Sequence, residues 1–160
     1  MNSIDTIIER FGPTLWRLAG SFELDAALCE DLVQDMLVAI WRALPRLEDP
    51  ARLKPYVLRI ARNRAVSHVA RQASRPDRSP LTTEPDDTGH GPYEQAEQND
   101  RQQRLLAAVR SLSLGQREAI TLFLEGLSHA EIAGILEVSE NNVAVRINRA
   151  RSRLTERLSS

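Results

Sequence analysis

Five arginines crowd one short stretch near the C-terminus, VAVRINRARSRLTERL: Arg146, Arg149, Arg151, Arg153 and Arg157. A guanidinium is a permanent cation with a planar fork of donors, suited to phosphate oxygens and to the edge of guanine. At about 100° per residue, a helix here puts Val143, Ile147, Ala150, Leu154 and Leu158 on one narrow face, the side that docks onto a core. Asn142, Arg146, Arg149, Arg153 and Arg157 then fall on one flank, and Asn141, Val145, Asn148 and Ser152 project away from the core. Guanidinium groups beside small amide and hydroxyl side chains are what clamping a nucleic-acid backbone and reading base edges requires. No other chemistry has its constellation. His68, His90 and His129 stand apart, no His or Cys spacing suits zinc, and no glycine loop suits a phosphate. The single cysteine, Cys29, lies in an apolar helical pattern and reads as a buried, inert thiol. No catalysis, metal or cofactor is expected.

The chain is almost neutral, with 21 Lys plus Arg against 22 Asp plus Glu, but the charge is segregated. Residues 1–41 hold two basic and seven acidic side chains, net −5. Residues 42–71 hold eight basic and two acidic, net +6. Residues 145–157 hold five basic and one acidic, net +4. Two separate basic surfaces imply two contacts with a polyanion, leaving an acidic surface for another partner. No run approaches the roughly 18 apolar residues of a membrane span. The opening MNSIDTIIERF lacks the basic start of a signal peptide, so a cytoplasmic, reduced protein is expected.

The elements that must position these groups are helical. Scarce glycine, with abundant Ala, Leu, Arg, Glu and Gln, predicts an all-α chain. Residues 74–95 carry four of the eight prolines and hardly an apolar side chain. That span reads as a flexible acidic linker between two small helical domains, 1–73 and 96–160, expected to fold independently. Ahead of it, Ile4, Ile7, Ile8, Phe11, Leu15 and Leu18 predict a helix with a break or kink at Gly12-Pro13. A second helix starts near Asp25, with Leu28, Leu32, Met36, Ile40 and Leu44 inward and Trp41 expected in the core. Asp31, Gln34, Asp35 and Arg42 lie to one side. The third starts near Lys54-Pro55, with Val57, Ala61, Ala65 and Val69 inward and Arg59, Arg62, Asn63 and Arg64 elsewhere around it. After the linker come a helix over about 94–110 and another from Ser113, paired with Gln116, to Gly126. A short helix follows the capping box Ser128-His129-Ala130-Glu131, and the arginine helix is capped by Ser139. The last two helices, with a tight turn between them, form a helix-turn-helix pattern.

At these residues the chain resembles a family. LSHAEIAGILEVSENNVAVRINRARSRL is similar to the promoter-binding helix-turn-helix of bacterial sigma factors of the extracytoplasmic-function group. CEDLVQDMLVAIWRAL followed by YVLRIARNRAV is similar to the half of that family that binds the polymerase core and melts the promoter. The matches stand in the family's order and span almost the whole chain. The resemblance implies that Asp31, Gln34 and Asp35, with Arg42, meet the coiled coil of the largest RNA polymerase subunit. It implies that Arg59, Arg62, Asn63 and Arg64 grip the minus-ten element. It also implies that the loop Leu47 to Leu53, with Leu47, Asp49 and Ala51, captures a flipped single-stranded base. The linker would thread toward the polymerase active site. The last helix would read the minus-thirty-five element through Asn141, Asn142, Val145, Arg146, Asn148, Arg149 and Arg153. Expected partners are RNA polymerase core (the coiled coil and the flap), promoter DNA in double- and single-stranded form, and an anti-sigma factor.

The chain departs from the family in two places. Where Phe-x-Gly-x-Ser and a Trp-Leu pair are usual, it has Leu47, Asp49, Ala51, Tyr56 and Val57, with Pro50 and Pro55 stiffening the loop. Where a basic residue is usual early in the last helix it has Ala144. The resemblance therefore carries the general role and not the promoter sequence. Two other classes share the helix-turn-helix. An autonomous regulator of the response-regulator output type would carry a receiver or sensory domain in front, which this all-helical N-terminal half does not resemble. An adaptor would bind polymerase without reading DNA.

Overall fold

The computed structural model of the chain describes residues 3–75 and 93–159, with side chains described outside 93–98. Among the described residues there are seven α-helices and no strand: α1 Ile4–Phe22, α2 Ala26–Ala43, α3 Leu53–Ala73, α4 Tyr93–Arg110, α5 Leu114–Leu124, α6 His129–Leu136 and α7 Glu140–Leu158. Two 3-10 turns, Leu44–Arg46 and Pro50–Arg52, lie between α2 and α3. Most of the span read as a linker lies outside the described residues.

In the N-terminal half, α1, α2 and α3 enclose a core of Ile7, Phe11, Leu15, Leu18, Leu32, Met36, Ile40, Val57, Ala61 and Ala65. The break expected at Gly12-Pro13 does not occur; α1 runs through Pro13. An interior proline costs about 3 kcal/mol. Ile7, Phe11, Leu15 and Leu18, buried on both sides of it, are each worth about 1.5–3 kcal/mol, which outweighs that cost. Glu23 organises the turn into α2. Its Oε2 accepts from the Asp25 N–H at 2.9 Å and its carbonyl accepts from the Cys29 thiol at 3.1 Å. Its Oε1 lies 2.9 Å from His68 Nε2 on α3, with both side chains buried. Asp25 Oδ1 caps α2 by accepting from the Leu28 N–H at 3.0 Å.

In the C-terminal half, α4 to α7 enclose Leu112, Ile120, Leu122, Ile132, Val143, Ile147 and Ala150. The start of α6 carries both arms of the capping box: Ser128 Oγ accepts from the Glu131 N–H, and Glu131 Oε1 accepts from the Ser128 N–H. Ser139 caps α7 by accepting from the Asn142 N–H at 3.0 Å. Ser113 stands at the N-cap of α5 but makes no side-chain cap bond. Gln116 Oε1 is buried there without a hydrogen-bond partner, so that pairing does not form. Just past the end of α5, after the C-cap Glu125, Gly126 has φ +95°. The Gly126 N–H donates to Phe123 O and the Leu127 N–H to Leu122 O, the paired closure that needs a left-handed residue. Leu158, expected on the core face, is 50% exposed, because the apolar seam ends with Leu154.

The turn between α6 and α7 is made by Glu137 at φ 58°. A non-glycine residue costs about 1–2 kcal/mol there. Glu137→Gly should therefore raise unfolding stability by up to about 1 kcal/mol, less than that strain because glycine also gains freedom in the unfolded chain. Urea denaturation measures it; a loss of stability would mean that the Glu137 side chain supports the turn.

The two halves are docked. Leu58 on α3 is fully buried and belongs to the C-terminal core. Gly20 on α1 lets α4 approach so closely that a Cβ there would lie 3.1 Å from Leu106 Cδ1. The Arg110 guanidinium donates to Gly20 O at 2.6 Å. Arg17 Nε and one of its terminal nitrogens each donate to a different oxygen of Glu125 at 2.9 Å, a two-pronged bridge from α1 to the C-cap residue of α5.

Candidate nucleic-acid interface

The exposed face of α7 is set by its N-terminal cap and its buried seam. The Ser139 cap sets the start, and Val143, Ile147, Ala150 and Leu154 are buried against α5 and α6. That leaves Asn141, Asn142, Val145, Asn148, Arg149, Ser152 and Arg153 exposed. The arginines divide by environment. Arg149 and Arg153 face solvent. The Arg151 guanidinium sits 4.6 Å from the Phe123 ring centroid, so it ties α7 to α5. Arg146 Nη1 is 3.8 Å from Glu118 Oε2, and its side chain is mostly covered.

On the N-terminal half, Arg59, Asn63 and Arg64 are exposed on α3. Arg62 is not free: its Nη2 donates to Glu118 Oε1 at 2.9 Å and its Nη1 to Asn63 Oδ1 at 2.9 Å. Arg64 Nη1 lies 3.8 Å from Asp35 Oδ1, linking two residues expected to serve different partners. The loop before α3 is held at both ends. Asp49 Oδ1 accepts from the Ala51 N–H at 3.0 Å, and the Tyr56 hydroxyl donates to the Ala43 carbonyl at 2.7 Å. Leu47 is half-buried against the core, while Asp49 and Ala51 are exposed. Between this loop and α6 lies an open cleft of about 810 Å³ bordered by Arg46, Arg52, Arg59 and Glu131.

The α2 surface holds a correction. Trp41, expected in the core, is 58% exposed. At about 100° per residue, Asp31, Gln34, Asp35, Val38, Trp41 and Arg42 share an arc of about 120°, and Val38 is also exposed. The face is thus acidic toward its N-terminal end and apolar toward its C-terminal end. Asp35 Oδ2 is buried there without a hydrogen-bond partner. Glu118 is the functional candidate that sequence spacing could not show. It lies within the apolar run EAITLFL, and its partners are remote in sequence.

Cys29 is buried, and burial first, then the nearby Glu23, pushes its thiol up to about 11 from 9.0. The neutral thiol is favoured in the fold, while the unfolded chain ionises near 9. The associated stability is complete below pH 9 and is lost as pH rises toward 11. Between pH 9 and 10 this thiol should steepen the loss of stability by up to about 1.4 kcal/mol per pH unit. Urea titrations of the parent and of Cys29→Ala measure it, and equal slopes would show that the thiol already ionises normally in the fold.

Comparison with known proteins decides the family. The family model described as sigma-70 region 2 matches residues 7–75, and that described as sigma-70, region 4, matches residues 102–154. The sigma factor NccH of Alcaligenes xylosoxydans xylosoxydans is 29% identical over 96% of this chain and 86% of its own. The ECF sigma factor SigM of Bacillus subtilis is 27% identical over 95% of this chain and 93% of its own. The chain belongs to the extracytoplasmic-function sigma factors. Its fold agrees with a solved sigma factor, RpoE in complex with the anti-sigma factor NepR from Bartonella quintana. The TM-score is 0.72 at 28% identity, over 97% of this chain and 96% of that one. As an alternative sigma factor it directs promoter recognition by RNA polymerase. With region 2 matched in the N-terminal half, the autonomous-regulator reading is not favoured. No helix among the described residues is long and apolar enough to cross a membrane.

Proposed function

We propose a division of labour across the surfaces of this sigma factor. The α2 arc of Asp31, Gln34, Asp35, Val38, Trp41 and Arg42 binds the coiled coil of the largest polymerase subunit. Arg59, Arg62, Asn63 and Arg64, with Leu47, Asp49 and Ala51 of the loop, engage and melt the minus-ten element. Asn141, Asn142, Val145, Asn148 and Arg149 read the minus-thirty-five element, and Arg146 and Arg153 hold its phosphates. The reading rests above all on one observation: two basic surfaces lie on separate halves of a chain whose α2 presents an acidic and apolar face. The protein acts in the cytoplasm, catalyses no reaction of its own, and is restrained by an anti-sigma factor. The complex of the RpoE relative with NepR supports that last role.

Run-off transcription tests the reading. Purified core polymerase supplied with this chain should start at discrete sites on a genomic fragment library, where core alone does not. Starts that are unchanged by adding the chain would contradict it.

A further inference from the structure

A second cavity is lined by none of the residues assigned above to polymerase or DNA. It is an open crevice of about 250 Å³ where the end of α1 and the last turns of α3 meet α5. Glu23, His68, Gln72 and Arg117 line it, with Phe22 and Val69 as apolar wall. Its charges do not balance. Glu23 is the one carboxylate among the described residues of the lining, and both its oxygens are engaged. Oε1 meets His68 Nε2 at 2.9 Å, and Oε2 accepts from the Asp25 N–H at 2.9 Å.

The Arg117 cation lacks such an answer. Its Nη2 donates to the Leu112 carbonyl at 3.0 Å, and its guanidinium lies 5.5 Å from the Phe22 ring centroid. Its Nε is buried without a hydrogen-bond partner, a costly state for a charged donor. Burial first, and then the like charge of Arg110, lower the Arg117 pKa, while Glu118 works the other way. Burial likewise lowers Arg110, whose guanidinium is committed to the Gly20 carbonyl. Two guanidiniums are thus held near each other in partly dry surroundings.

We propose that this crevice is a binding site for a small free oxyanion of the phosphate class, seated between Arg117 of α5 and Gln72 of α3. Such an anion supplies the acceptor that Arg117 Nε lacks and offsets the repulsion from Arg110. The Gln72 side chain makes no hydrogen bond among the described residues, so its amide is available to donate. A tetrahedral anion presents oxygens in several directions, which suits donors that come from two helices. A flat carboxylate presents only two, side by side. The volume lies below the roughly 300–1,000 Å³ of drug-sized pockets, which suits one small anion with its waters.

The test titrates sodium phosphate into the full chain by calorimetry, with sodium chloride holding the ionic strength constant. The parent should show saturable binding of one phosphate, and its melting temperature should rise with phosphate but not with chloride. Arg117→Gln should weaken the binding about tenfold or more, because it removes the charged fork. Gln72→Glu keeps the side-chain shape and sets a carboxylate against the anion, so it should abolish binding. Arg104→Gln removes an exposed cation elsewhere on α4 and should bind as the parent does. If Arg117→Gln loses helicity by circular dichroism, Gln72→Glu decides alone. Heats that never saturate, or parental binding by Gln72→Glu, would overturn the proposal. So would an equal loss in Arg104→Gln, the mark of a general charge effect. A minus-thirty-five duplex should not displace the phosphate; displacement would give the crevice to a DNA phosphate instead and likewise overturn it.

Discussion

Asp31→Arg should lower the affinity of the chain for core RNA polymerase by about 100-fold or more, because placing like charges together across an interface costs several kcal/mol. Asp31 is exposed on the α2 arc, so its reversal should move unfolding stability by less than about 0.5 kcal/mol. Asp35 is a less clean probe. Its carboxylate lies 3.8 Å from Arg64, and a new arginine there would meet an existing one. Trp41→Ala should also weaken binding, since an aromatic ring left 58% exposed beside Val38 has apolar area to bury against a partner. Co-elution of the variants with purified core enzyme, alongside a urea titration of each, measures both effects. Full binding by Asp31→Arg would move the polymerase contact off this arc.

Arg149→Ala should cost about 1–3 kcal/mol on the preferred minus-thirty-five sequence and less on a scrambled one, since a lost bidentate base contact removes discrimination. Arg149 is exposed next to Asn148, and it has neither the ring contact that occupies Arg151 nor the carboxylate that occupies Arg146. Arg153→Ala should weaken all sequences alike and lower the salt slope by about one phosphate contact. Holoenzyme binding to promoter variants over a salt series separates the two. An equal loss on every sequence for Arg149→Ala would make that side chain a clamp and leave the reading to Asn141, Val145 and Asn148.

Local rules made much of this fold legible. The caps at Asp25, Ser128 and Ser139 and the left-handed Gly126 are short-range devices, and each closes a helix where its pattern predicts. The inward stripes Leu32, Met36, Ile40 and Val143, Ile147, Ala150 follow from helical period alone. The misses have different causes. Pro13 is tolerated because the core on either side of it is worth more than one lost bond. Trp41 stays exposed because its position on the helix, rather than its size, decides which way it faces. Leu58 sits one place beyond Val57 and so points at the other half, whose presence no spacing within α3 reveals. Ser113 lacks its cap bond although its type and position suit one.

The candidate site divides the same way. The flank and outward face of α7 follow from a wheel, so Asn141, Val145, Asn148, Arg149 and Arg153 are exposed where period places them. The fates of Arg62 and Arg146 do not follow. Their common partner is 56 residues from Arg62 in sequence, and only the docked fold brings the three together.

The most direct test of the central claim, that this chain confers promoter recognition on RNA polymerase, is footprinting on a promoter selected by run-off transcription, with and without core enzyme. The holoenzyme should protect two blocks about ten and thirty-five base pairs upstream of the start, and thymines in the nearer block should react with permanganate as single strands. The chain alone should give neither signal at the same concentration. Strong protection by the chain without core enzyme, with no reactive thymines when core is added, would contradict the account.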